Sequence, residues 1–465
     1  MKDLKMIPNK VFSIDPSNSK KVASYELDSD DVVNEKIKLV NDAFKVWSLK
    51  THLERAQVLS FVCTKIKEKK QQIAEMITLE IGMPISQSLG EVDKAIQLID
   101  EVVKNGPVQL APRQVPFAKS RVEYAPMGVC LSVAPWNFPF YLALRSIIPN
   151  LMAGNTVVLK HSVTCQGVAN LIEECFNVDG MPQNSVVNLI VRGVRAEHTL
   201  RMKEVRLATL IGSERAGRSF ASTAASVLKK VVLELGGNDA LVVFEDADLK
   251  AAAKAAADSR LRNCGQACNA AKRFFVHSSV KDEFIRLLTE EYNKFIPGDP
   301  KDLKTQMGPI ATEEAAKTFL KQCELLERHG KLIHKVDFNF SEDEIKKFDY
   351  GYWVQPRLYE LTDSSYEEEE IFGPAAVLQS FDNDNEALDL INKSRFGLGC
   401  SIWTKDINKF NVLSSNVETG NVFLNSMVRS NVGLPYGGIK DSGYGRELGE
   451  EGLRELCNVK VVYTG

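Results

Sequence analysis

Two stretches of this chain have the residue types and spacing for chemistry on a carbonyl group. One is Arg262-Asn263-Cys264-Gly265-Gln266-Ala267-Cys268, and the other, 34 residues upstream of Cys268, begins Glu234-Leu235-Gly236-Gly237. Singly, each has a bland explanation. A free cysteine is usually a small buried hydrophobe, and a glutamate beside two glycines is usually a surface charge at a turn. Together they supply a thiol nucleophile and a carboxylate able to activate water, the two groups that oxidise an aldehyde through a thioester. Asn137, within Pro135-Trp136-Asn137-Phe138-Pro139, offers an amide donor for the oxyanion that thiolate attack creates, with the Cys268 N–H as a second donor. Its competing explanation is an Asx turn. Cys264 has no such support and reads as a packing residue, close enough to Cys268 to be a candidate partner in an oxidative disulfide.

These groups need rigid elements to hold them, and the pattern of the chain supplies an α/β frame. Apolar residues Val33, Ile37, Val40, Phe44 and Trp47 recur at helical spacing over 31–47. Helical patterning continues over 53–104, broken at Gly82 and Pro84 and closed at Gly106-Pro107. Residues 121–135 alternate around Pro126-Met127-Gly128 and read as a hairpin followed by a strand. Short apolar strands at 156–160 and 186–190 flank a helix at 166–176, and strand–helix alternation resumes after Glu234 up to a last strand at 459–463. That alternation predicts parallel sheets covered by helices. Residues 336–349 are charged and predict a surface excursion, and the run 367–370 a solvated helix or loop end.

Composition closes off several function classes. With 58 Lys and Arg against 61 Asp and Glu in 465 residues, the net charge of −3 gives no field for nucleic acid or an anionic membrane. No run approaches a membrane span, and the first residues lack an apolar signal core. Nine thinly spread cysteines do not form a disulfide framework, and no second Cys or His cluster completes a zinc site. The expected compartment is the reducing cytoplasm.

Seven motifs in order identify the chain as similar to the aldehyde dehydrogenase superfamily, closest to its succinate-semialdehyde dehydrogenase branch. They are Pro135 to Pro139, Gly154 to Lys160, Gly212-Ser213-Glu214-Arg215-Ala216-Gly217, Glu234 to Gly237, Gly265 to Cys268, Glu370-Ile371-Phe372-Gly373-Pro374, and Pro435 to Gly438 with Ser442 to Glu447. The resemblance implies an aldehyde dehydrogenase-like fold. It would have a variant Rossmann cofactor domain (1–106 and 126–236), an α/β catalytic domain (237–432) and a β oligomerisation arm (107–125 and 448–465), assembled as a homodimer or homotetramer. It implies Cys268 as nucleophile, Glu234 as the base that hydrolyses the thioester, and Asn137 at the oxyanion. Cofactor contacts carry over to Trp136, Lys160, Ser162, Gly212, Ser213, Gly217, Glu370 and Phe372, with the pyrophosphate at the turn that opens with Gly212.

Departures from the family pattern bear on specificity. Lys160-His161-Ser162-Val163 has Val163 where an acid usually repels a 2′-phosphate, so the cofactor expected is NAD or NADP. Leu210-Ile211 replaces the usual Phe-Thr, and the glycine-rich stretch near 191–195 is reduced to Gly193. Arg262 and Arg145 match two arginines that grip the distal carboxylate of succinate semialdehyde, a bidentate task that guanidinium suits. The ordinary alternative makes each arginine a surface ion-pair partner. A serine that often completes this pocket is absent before Pro435, leaving Arg429 or Ser430 to stand in, and Ala270 replaces the cysteine that forms a regulatory disulfide in some relatives. Oxidation of succinate semialdehyde is therefore the reaction expected, with other small aldehydes or semialdehydes as the near alternative and a silent structural relative as the far one.

Overall fold

The computed structural model describes residues 9–116, 119–338, 340–362 and 369–464. Two sheets, each covered by helices on both faces, carry the site between them. The first has six strands, in the order Gly443–Tyr444, Lys230–Glu234, Val205–Ile211, Val129–Val133, Thr156–Lys160 and Val186–Asn188. All pairings are parallel except that of the short Gly443–Tyr444 edge. Strand alternation sorts its side chains cleanly. Leu131, Val158 and Val187 pack with Val33, Ile37 and Val40 of the helix Asp30–Trp47, whereas Cys130, Val157, Leu159 and Val186 face the helices that run from His52 to Gln109 and the helix Pro139–Ala153.

The second sheet has seven strands, in the order Gly330–Lys335, Arg357–Leu361, Ala375–Phe381, Ala271–His277, Asp239–Val243, Gly399–Trp403 and Asn421–Leu424. It too is parallel apart from its first edge strand. Leu241, Val243, Phe274 and Val276 bury one face against the helices Leu249–Leu261 and Lys281–Tyr292. The first sheet turns the C-terminal ends of its strands toward the cleft, where ligands of open α/β sheets bind. The second turns its N-terminal ends there, because Cys268 directly precedes the strand Ala271–His277 and Glu370 precedes Ala375–Phe381.

Two expectations are corrected. Residues 121–135 do not make a hairpin: Lys119–Pro126 pairs with Arg113–Val115 and with Cys457–Thr464, while Val129–Val133 enters the six-stranded sheet. Pro126-Met127-Gly128 is a crossing between sheets, tied down by the Asn155 side-chain oxygen, which accepts from the N–H groups of Met127 (2.7 Å) and Gly128 (3.1 Å). The helix that should close at Gly106-Pro107 continues to Gln109 with Pro107 inside its last turn, so the proposed boundary at 106 falls within a helix. Residues 336–349 form the expected surface excursion, mostly exposed and pinned where Phe340 and Phe348 each lie 5.0 Å from the Trp353 ring. In the acidic run, residues 367 and 368 lie outside the described residues.

Candidate active site

The turn that leads to Cys268 is built from three consecutive left-handed residues, Asn263 (φ 48°), Cys264 (φ 53°) and Gly265 (φ 73°). Asparagine and glycine tolerate this conformation, and for most other residues it costs roughly 1–2 kcal/mol. Glycine is required at 265, because a Cβ there would lie 2.4 Å from the Gly373 carbonyl oxygen. Hydrogen bonds over-determine the turn. Asn263 donates its side-chain N–H to the Asn137 carbonyl at 2.6 Å, and Asn137 returns its amide to the Gln266 carbonyl at 2.9 Å. The Asn263 N–H reaches Gln87 Oε1 at 2.9 Å, and Lys272 Nζ donates to the carbonyls of Ala267 (2.9 Å) and Cys268 (2.5 Å). Asn137 and Cys268 are thus fixed relative to each other and line one cavity of about 670 Å³.

Cys268 differs from the other cysteines in exposure. Of the nine, all free, eight are buried and Cys268 is half-buried. Burial pushes its thiol up to about 11, opposed by the charges of Lys272 and Arg145 and reinforced by Glu370 and Glu234. Cys264 packs among Met307, Ile310 and Phe319, outside the residues that line the cavity.

Glu234, the last residue of its strand, is 3% exposed, and its Oε1 has no hydrogen-bond partner among the described residues. Arg145 Nη2 lies 3.5 Å from Glu234 Oε2, its Nε is ion-paired with Glu447, and its guanidinium sits 5.0 Å from the Tyr436 ring centroid. That amends the expectation of a free guanidinium fork: Arg145 lines the cavity but is already shared between two carboxyls. Burial pushes both Glu234 and Glu447 upward, each countered by Arg145, and the charge of Glu447 raises Glu234 further. One guanidinium serving two buried carboxyls favours a single shared proton, which leaves the trio close to neutral.

The outer part of the cavity has the opposite character. Arg262 and Arg429 are exposed there and make no ion pair among the described residues. Lys94, on the helix Ile85–Gln109, donates to Ser430 Oγ at 2.7 Å and lies 4.5 Å from the Tyr141 ring centroid. Lys94, Lys272, Tyr436 and Glu447 were not singled out from sequence. Glu447 stood within a recognised motif without a role, and Lys94 carries no local signal beyond lying one turn after Glu91.

Residues expected to meet the cofactor gather on the other side of Cys268. Lys160 ends its strand, 9% exposed, its ammonium without an ion pair or side-chain hydrogen bond among the described residues, and burial lowers it to about 8. Ser162 shares a hydrogen bond of 2.9 Å with Thr164, and Val163 beside it is half-buried. The Gly212 N–H donates to the Glu234 carbonyl at 3.0 Å, and Ser213 caps the helix Glu214–Ser226 by accepting from the Ala216 N–H. Gly217 lets that helix approach Leu235, because a Cβ would lie 2.5 Å from the leucine side chain. Glu370 Oε1 accepts from the Gly237 N–H at 3.2 Å and pairs with Lys272 at 3.3 Å, while Trp136 and Phe372 meet edge to face at 5.6 Å. A capped helix N-terminus suits a pyrophosphate, and a buried lysine without a partner suits ribose hydroxyls. The donor set therefore fits a nicotinamide dinucleotide.

A dinucleotide-type sheet facing a half-buried thiol, with a buried carboxylate beside it, defines a thiol-dependent oxidoreductase of aldehydes. Residues 6–462 match the model described as "Aldehyde dehydrogenase family", and the chain belongs to that family. It is 37% identical over 432 residues to a succinate-semialdehyde dehydrogenase [NADP(+)] of Deinococcus radiodurans, covering 92% of this chain and 89% of the relative. It is 36% identical over 459 residues to a probable succinate-semialdehyde dehydrogenase [NADP(+)] of Synechocystis sp., covering 97% and 99%. Among solved structures, the succinic semialdehyde dehydrogenase of Streptococcus pyogenes in complex with NADP+ superposes with a TM-score of 0.91 at 31% identity, covering 98% of this chain and 99% of that one. The betaine aldehyde dehydrogenase of Staphylococcus aureus in complex with NAD+ superposes at 0.89 and 27% identity, covering 98% and 91%.

Proposed function

We propose that this enzyme oxidises succinate semialdehyde to succinate with NADP or NAD. The observation that carries the substrate is the single cavity shared by Cys268, Asn137 and three cations, Lys94, Arg262 and Arg429, that form no ion pair among the described residues. Such a lining attracts an aldehyde that bears a carboxylate and opposes a quaternary ammonium aldehyde such as betaine aldehyde.

The Cys268 thiolate adds to the aldehyde carbon, and the Asn137 amide with the Cys268 N–H holds the resulting oxyanion. Lys160, Ser213 and Glu370 would hold the nicotinamide dinucleotide, which when bound would supply the hydride acceptor. The acyl group is then left on Cys268 as a thioester. Glu234, with Oε1 uncommitted, takes a proton from the water that attacks this thioester, and the acid leaves as the Cys268 thiolate is restored. Val163 places no charge where a 2′-phosphate would lie, which leaves NADP acceptable.

The division into a cofactor domain, a catalytic domain and an arm is part of this reading, as is assembly into a homodimer or homotetramer in the cytoplasm. Val459, Val461 and Tyr463 project from one side of the arm strand Cys457–Thr464 and are more than half exposed, an apolar stripe suited to a second copy. No helix among the described residues is long and apolar enough to cross a membrane. The test is reduction of NAD and NADP over a panel of aldehydes. Succinate semialdehyde should have the highest kcat/KM, and a preference for butanal or betaine aldehyde would reject the assignment.

A further inference from the structure

We propose that Lys94 is a further anchor for the substrate's distal carboxylate at the outer end of the cavity, beside the arginines that line it. The inference rests on the reading of a carboxylate-bearing substrate and names the group that recognises it.

Arg145 lines the cavity too, but its charge is shared with two buried carboxyls. It is ion-paired with Glu447 and within 3.5 Å of Glu234, both buried. A substrate carboxylate there would be a third acidic group around one guanidinium. Lys94 is in the opposite position. Its ammonium has three N–H donors, and the structure gives one to Ser430 Oγ at 2.7 Å. The Tyr141 ring lies 4.5 Å away, and the Tyr141 hydroxyl lies 3.3 Å from Ser430 Oγ. These contacts hold the side chain but none neutralises it, and among the described residues no carboxylate is within ion-pair distance.

Glu91, one turn earlier on the same helix, is the nearest candidate counter-ion. Its Oε1 is taken by the N–H groups of Phe140 and Tyr141, each at 2.8 Å, and burial pushes its carboxyl up to about 8. Those two N–H groups and the Lys94 charge oppose that rise, and Glu91 makes no ion pair with Lys94 among the described residues. The other charges facing Lys94 are Arg145, Arg262 and Arg429, which, with burial, lower its ammonium to about 8; the Cys268 thiol acts the other way. A desolvated cation among three others, without a counter-ion, is costly until an anion arrives. A carboxylate in the cavity relieves that cost.

The test compares kcat/KM for succinate semialdehyde and for butanal, which has the same carbon count and no carboxylate. In Lys94→Met the stem remains and the charge goes. The semialdehyde-to-butanal ratio should fall by about 30-fold or more, with butanal turnover within about threefold of wild type. Lys94→Arg should recover most of the ratio. In wild type the ratio should also decline as pH rises through about 8 and the ammonium is lost, and it should stay level in Lys94→Arg, whose guanidinium keeps its charge. Dividing by butanal cancels the titration of the Cys268 thiol. A decline that persists in Lys94→Arg would assign the titration to Glu91 and overturn the pH argument. If wild type prefers succinate semialdehyde and Lys94→Met leaves the ratio unchanged, the Lys94 assignment fails while the substrate stands. If wild type shows no preference, the substrate reading itself fails. Should Lys94→Met not fold, the wild-type and Lys94→Arg pH profiles still decide.

Discussion

The two ends of the cavity hold similar charged residues and treat them differently. At the inner end Arg145, Glu234 and Glu447 are all 6% exposed or less and face one another as opposite charges. At the outer end Lys94, Arg262 and Arg429 face the same cavity without an ion pair among the described residues, and Asp258, the acid whose charge acts on Arg262, is itself paired with Lys254. A guanidinium among buried carboxyls adjusts their protonation and is not free to recognise a ligand. A cation left without a partner at the mouth attracts one. The inner end is therefore suited to moving protons, and the outer end to choosing substrate.

The largest test falls on the inner end. Cys268→Ala should abolish dehydrogenase activity, a loss of at least about 1000-fold. Glu234→Gln should give one rapid burst of NAD(P)H and then stall at the thioester. Rapid-mix absorbance reads both, and equal loss of burst and steady state in the glutamate variant would remove Glu234 from the deacylation step.

Arg262→Ala probes the outer end. A buried charge pair would cost several kcal/mol, but this arginine is exposed and screened, so the expected loss is about 1–2 kcal/mol, roughly 5- to 30-fold in kcat/KM for succinate semialdehyde. Butanal should be little affected. Equal loss on both substrates would make Arg262 structural and dissolve the contrast between the two ends.

A smaller effect is expected in the pH profile of the inner end. Glu234 acts as a base only when ionised, and burial has raised it, so kcat in the deacylation-limited regime should fall as pH falls through that raised value. The negative charge of Glu447 raises it further. Glu447→Gln should therefore move the acidic limb to lower pH, while the limb of the semialdehyde-to-butanal ratio near pH 8 stays in place. Movement of both limbs would show that the two ends are coupled.

The cofactor side gives a change of several-fold. Val163→Glu should shift the NADP-to-NAD ratio of kcat/KM toward NAD by setting a charge against the 2′-phosphate. Wild type with no NADP turnover would overturn the argument from Val163. The smallest effect belongs to Cys264→Ser. Its thiol packs away from the cavity, so activity should remain near that of wild type, with only a modest fall in melting temperature.

Much of the frame was legible in sequence because it depends on local periodicity. The helix Asp30–Trp47, the buried strand Thr156–Lys160 and the capped helix behind Gly212 all show their pattern within a dozen or so residues. The failure at 121–135 had a definite cause. Alternation says that a segment is a strand and does not say which sheet will take it, and here the choice was made by pairing with Cys457–Thr464, more than 300 residues away.

Residue identity alone specified the reacting groups, since only a thiol, an acid and an amide donor in recognisable local contexts serve this chemistry: Cys268, Glu234 and Asn137. It could not specify which charges remain free. Arg145 lies 89 residues from Glu234 and 302 from Glu447 in the chain, and Lys94 is 336 residues from the Ser430 hydroxyl that holds it. Whether a charge is neutralised depends on what lies within a few ångströms after folding. The tertiary structure therefore turned one expected substrate arginine into a partner for carboxylates, and brought a lysine without sequence signal into the pocket.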